Sequence, residues 1–167
     1  MSRADTRGRE RLWLEELEDY MGMATSAVPY DDQWVFCVVV SDTPFGGITF
    51  KDYVLKERVY FHPFGGNNTW PKVAPNFLCF RWGGQVRQVN RVIRSEVVPR
   101  LADRWPAITS EESDGPHIVY DLGPDIPIPT ISTKGTYATA RVRCLLDQLL
   151  VQPTLADAGR TSKELSE

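Results

Sequence analysis

The sequence is short of the groups on which most recognisable enzyme chemistry depends. It has two histidines, His62 and His117, and three cysteines, Cys37, Cys79 and Cys144, with no C-x-x-C spacing and no cysteine near either histidine. A zinc site of the Cys/His type therefore lacks its paired ligands. The phosphate loop G-x-x-x-x-G-K-[ST], the nucleophile elbow G-x-S-x-G and the dinucleotide turn G-x-G-x-x-G are all absent. No Asp or Glu stands two residues before a lysine, which removes the [DE]-x-K pattern of many metal-dependent nucleases. On these grounds no catalytic residue, metal or cofactor is expected.

Long apolar runs are missing too. Nothing approaches the roughly 18 to 20 continuous apolar residues of a membrane span, and the opening residues MSRADTRGRERLWL lack the apolar core of a signal peptide. The cysteines lie in apolar runs (VFCVVV, FLCFRW, VRCLLDQLL), where free thiols behave as small buried hydrophobes. Their odd count points to a reducing compartment. The expectation is a cytoplasmic protein with no membrane partner. Net positive charge is also lacking: with 19 basic and 22 acidic residues the formal net charge is −3, so contact with nucleic acid would need a local basic patch.

At 167 residues and 42% hydrophobic, the chain has the size of a single domain, 1–167, with flexible tails expected at about 1–7 and 160–167. Residues 8–22 place Leu12, Trp13, Leu17, Tyr20 and Met21 at helical spacing. QWVFCVVV, residues 33–40, reads as a strand buried on both faces. ITFKDYVLKERVYFHPF reads as extended structure interrupted near Lys56 and Glu57, with a helix over Lys51 to Arg58 as the alternative. NFLCFRW and QVRQVNRV flank Gly83-Gly84, the signature of a two-residue hairpin. Residues 105–135 hold five of the twelve prolines around one strand candidate, HIVYDLG. Residues 137–151 present an apolar face of Ala138, Val142, Leu145, Leu146, Leu149 and Leu150, the pattern of an amphipathic helix. Thr154, three residues before Asp157, gives a capping signal ahead of a polar tail. The order predicts an α+β fold: a mostly antiparallel curled sheet or small β-barrel flanked by an N-terminal and a C-terminal helix. Phe36, Val38, Val40, Phe77, Leu145 and Leu149 are the expected core.

Functional chemistry concentrates between Tyr60 and Arg104. From Arg81 to Trp105 stand six arginines, at 81, 87, 91, 94, 100 and 104, against only Glu96 and Asp103. Arginine offers a planar fork for phosphate or base edges and stacks on aromatic faces. In a strand over 85–93, Arg87, Val89, Arg91 and Ile93 share one face, and Val86, Gln88, Asn90 and Val92 share the other. That alternation fits either a polar groove or a solvated surface. Trp70, flanked by Pro71 and Pro75, fits either a stacking platform or a lid on a barrel end. His62, between Phe61 and Pro63, fits a switchable hydrogen-bond donor or a packed bridge between strand and loop.

The stretch YFHPFGGNNTWPKVAPNFLCFRWGGQVRQVNRV, residues 60–92, resembles small β-barrel modules of the PUA-like superfamily, the EVE and ASCH domains. The likeness lies in a strand of the type PNFLCFR, a glycine turn, and a second strand ending in Arg-Val. It implies a curled barrel whose cleft receives a flipped or modified nucleobase. No family residue carries over by position, so the candidate ligand-binding set is chosen on chemistry. Trp70 and Trp82 are the stacking candidates, Arg81, Asn90 and Arg91 the polar contacts, and His62 the switchable donor. The leading functional expectation is a non-catalytic module that binds a nucleotide, a modified base or nucleic acid. Two alternatives stay open. One is a hydrolase or nuclease of unfamiliar type using His62 with Asp42 or Asp52. The other is a regulatory or protein-interaction subunit, or a homo-oligomer, making contacts through the 105–135 loop and the C-terminal helix.

Overall fold

A computed structural model describes residues 32–65, 70–109, 113, 115–138 and 140–167. The helix expected over 8–22 lies outside the described residues, as does the tail at 1–7. The fold is α+β: a curled mixed sheet forming a half-barrel, with three helices among the described residues. Its strands are β1 (Trp34–Val39), β4 (Val59–Pro63), β5 (Phe77–Trp82), β6 (Gln85–Val98), β7 (His117–Asp125), β8 (Ile131–Ser132) and β9 (Val142–Leu145). They run in the order β4-β7-β6-β5-β1-β9, with β8 beside the start of β6. β1 and β5 pair in parallel, and the other pairs of this sheet are antiparallel. A separate two-stranded ribbon, β2 (Pro44–Phe45) with β3 (Ile48–Thr49), leads into helix α1 (Phe50–Leu55).

The hairpin expected at Gly83-Gly84 joins β5 to β6. Both glycines have positive φ, 59° and 76°, the conformation a twisted two-residue turn requires. β6 then runs for 14 residues and serves as the spine, pairing with β5, β7 and β8. Register shifts against both long partners bend it and help to curl the sheet. The curl is evident from two rings: Tyr60 of β4 and Phe80 of β5 are three places apart in strand order, yet their centroids lie 5.4 Å apart.

The two faces of the sheet carry separate cores, which explains the continuous apolar run of β1. Phe36, Val38 and Val40 point into the curl with Leu78, Phe80, Tyr60, Ile118, Tyr120 and Leu122. Val35 and Cys37 point outward with Cys79, Val89 and Cys144, beneath helices α2 (Leu146–Val151) and α3 (Leu155–Ser166). A third cluster, Tyr53, Val59, Phe61, Leu101, Ile108 and Val119, fixes α1 and the short 3-10 turn Leu101–Asp103. Of the expected core, all but Phe77 are buried; Phe77, at the start of β5, is half-buried.

Three local expectations are corrected. Lys51 falls within helix α1, so the helical alternative holds there; Thr49 caps α1 by accepting from the Asp52 amide at 3.0 Å. The helix expected over 137–151 is a strand followed by a shorter helix. Residues 142–145 pair with β1 because sheet partners satisfy their backbone while Cys144 enters the outer core. The polar tail after Thr154 is helical to Ser166, with Leu155, Ala158 and Ser162 buried along one face, and Thr154 caps it at the Asp157 amide.

Candidate functional site

The inner face of the half-barrel carries a stack of three flat groups. Trp70 comes from the segment leading into β5, where Pro71 and Pro75 restrict the backbone. Its indole lies 4.4 Å from the His62 imidazole with 4° between the planes. On Trp70, too, sits the Arg141 guanidinium, its Cζ 3.6 Å from the ring centroid. Phe36 supports the indole at 6.2 Å in a tilted contact. Arg143, two residues beyond Arg141, repeats the motif with its Cζ 3.9 Å from the Trp34 ring centroid. Arg143 lies on β9 and Arg141 immediately precedes it, and each guanidinium covers one indole.

Hydrogen bonds fix His62 in one tautomer. Its Nδ1–H donates to the Pro63 carbonyl at 2.9 Å, so Nε2 accepts from the Tyr120 hydroxyl at 2.9 Å. Burial, reinforced by the charge of Arg141 and by His117, lowers the imidazole pKa to about 4 against the opposing pull of the Pro63 carbonyl. Burial likewise pushes the phenols of Tyr60 and Tyr120 up. At neutral pH, then, His62, Tyr60 and Tyr120 are uncharged, and the positive charge beside them comes from Arg143 on β9 and Arg141 just before it.

Two cavities share Trp70 as a wall. One, of about 370 Å³, is lined by Val39, Phe45, Phe50, Tyr60, His62 and His117, among others. The second, of about 530 Å³, lies between Trp34 and Trp70, with Lys72, Asn76 and Arg143 as its polar lining. Among the described residues, no acidic one lines either cavity. Both volumes fall in the range of small-ligand sites, which are mostly apolar with a few placed polar groups.

Of the six residues singled out in the sequence, the structure brings two together, His62 and Trp70. Arg81 is buried, its Nη2 donating to the carbonyls of Tyr137, Ala138 and Ala140 at 2.8, 3.1 and 2.7 Å, so it pins the turn that precedes β9. Asn90 is fully buried, donating to the Gly123 carbonyl and to Asp125 at 2.8 Å each and accepting from Gln88 at 2.8 Å. It ties β6 to β7 where their register shifts. Arg91 is exposed on β6, opposite Phe77 in register, and lines neither cavity. Trp82 is half-buried at the hairpin end of β5, with Lys51 Nζ 5.5 Å from its ring centroid.

Neither acid suggested as a partner for His62 reaches it, since both its nitrogens are occupied as described. Asp42 pairs with Lys51 at 2.7 Å, and Asp52 with Lys56 at 3.1 Å. Among the described residues, no group of three or more His, Cys, Asp or Glu is placed to hold a metal ion, and no helix is long and apolar enough to cross a membrane. Trp34, Arg141 and Arg143 are the site residues that sequence reasoning missed. The signal for the arginines was their i, i+2 spacing, which a helical reading of 137–151 hides. No protein-family model matches the chain, and no curated protein or solved structure does either.

Proposed function

We propose that the protein is a non-catalytic binding module for a planar aromatic ligand of the nucleobase class, seated against Trp70 in the mouth of the half-barrel. A nucleotide, a modified base and a nucleic-acid end all belong to this class. The reading agrees with the resemblance to PUA-like modules, keeps His62 and Trp70 from the expected contacts, and sets aside Arg81, Trp82, Asn90 and Arg91. Its main support is the Arg141–Trp70–His62 stack, which holds a large indole rigid at the boundary of two cavities. With His62 and Arg141 stacked on Trp70, a base meets the indole at its edge, and an edge-to-face aromatic contact is worth about 0.5–1.5 kcal/mol beyond the area it buries. An uncharged wall with arginines at its rim suits a ligand that joins a flat ring to negative charge.

The test is tryptophan fluorescence and calorimetric titration with nucleosides, nucleotides and short single- and double-stranded oligonucleotides, across a range of salt. Trp70→Ala is expected to weaken binding by about tenfold or more, and Arg91→Ala to leave it unchanged. Circular dichroism confirms that each variant is folded. Absence of saturable binding to every one of these ligands at low salt would sink the proposal.

A further inference from the structure

We infer that Arg143 and Lys72 form an anion subsite in the cavity between Trp34 and Trp70, so that the ligand is a phosphorylated one: a nucleoside monophosphate or a phosphorylated strand end. The inference rests on the base-binding reading above and narrows it. The described arginines are mostly engaged. Arg58 pairs with Asp125, Arg94 with Glu96, Arg100 with Asp103, Arg104 with Glu96 and Asp121, and Arg160 with Asp157. Arg81 is committed to three backbone carbonyls.

Arg143 differs. Among the described residues its guanidinium has no hydrogen bond or ion pair, and it lies on the face of Trp34 at 3.9 Å. A guanidinium held by its flat face keeps its in-plane N–H donors directed away from the ring. It is thereby oriented without being neutralised. Among the described residues, Lys72 in the same cavity wall likewise has no ion pair, and no carboxylate lines the space. Two cations of fixed sign and two indole walls, with no acid among the described lining residues, make a cavity complementary to an aromatic anion. The planar N–H fork of arginine matches two oxygens of a phosphate, and the lysine adds a point charge. Arg91 also lacks a partner among the described residues, but no cavity wall includes it.

The experiment titrates the full chain with the four common nucleosides, their 5′-monophosphates, and a tetranucleotide carrying either a 5′-hydroxyl or a 5′-phosphate. Phosphorylated ligands are expected to bind about tenfold tighter or more than their unphosphorylated counterparts. Lys72→Gln, an exposed position, is expected to reduce that preference, and Arg143→Gln to bring it near unity, the readout being the ratio of nucleotide to nucleoside affinity within each variant. Near-ultraviolet circular dichroism checks that Arg143→Gln keeps the indoles packed, and Lys72→Gln provides the test where it does not. Comparison of mononucleotide with phosphorylated tetranucleotide identifies which source of phosphate the subsite takes. Equal affinity for nucleoside and nucleotide in the wild type would overturn the anion subsite and leave base binding standing. Failure of nucleosides and nucleotides alike would remove both.

Discussion

His62 shows what a single buried residue contributes. Its ring is stacked under Trp70, and both nitrogens are engaged in a pattern that needs the neutral form. The folded pKa of about 4 lies below the ordinary value of 6.5, so between those pH values the unfolded chain takes up a proton that the folded one refuses. Stability from this residue is complete above pH 6.5 and lost as the pH falls towards 4, by on the order of 3 kcal/mol. Urea denaturation of wild type and His62→Gln should therefore show a difference in stability that is larger at pH 7 than at pH 4. A pH-independent difference would show that the imidazole is not held neutral. His62 and Trp70 could be read from the sequence because prolines and aromatics crowd around them. The roles of Arg81 and Asn90 could not. Their partners are backbone carbonyls of the 137–140 turn and of Gly123, contacts that leave no trace in composition or spacing.

At the scale of elements, hairpins and buried strands were legible and the C-terminal third was not. Gly83-Gly84 gives the β5–β6 turn its signature, and the apolar run of β1 reflects burial on both faces. Between 137 and 151, however, Val142, Leu145, Leu146 and Leu149 satisfy a helical period while the first four residues of the paired stretch belong to a strand. Only pairing with β1 decides, and β1 is about a hundred residues away in sequence. The junction of β9 with α3 is held by one hydroxyl. Ser162 Oγ accepts from the Leu145 amide at 2.8 Å and donates to the Ala158 carbonyl at 2.6 Å, with the side chain fully buried. Ser162→Ala would leave the Leu145 N–H buried without a partner, and should cost about 1–3 kcal/mol in chemical denaturation. A change within experimental error would mean that water reaches the junction.

For the whole molecule, the curl of the sheet turns one polypeptide layer into an inner wall lined with aromatic cavities and an outer wall covered by helices. The α+β class was readable from the order of elements, because runs of strands without regular helical crossovers favour antiparallel pairing. The exception is the parallel pair of β1 and β5, whose connection carries the β2–β3 ribbon, α1 and β4, with β4 docked at the far edge of the sheet. A hairpin such as β5–β6 closes over two residues, whereas β1 gains its partner only after a long excursion has been ordered. In stopped-flow experiments, Gly84→Ala in the turn should slow folding, while Val35→Ala in β1 should chiefly speed unfolding. Until β1 arrives, β5 presents an unpaired edge of FLCFRW, rich in apolar and aromatic side chains. An open edge of that composition is a template for another chain, so the interval before the parallel strand docks is when this protein is most exposed to self-association.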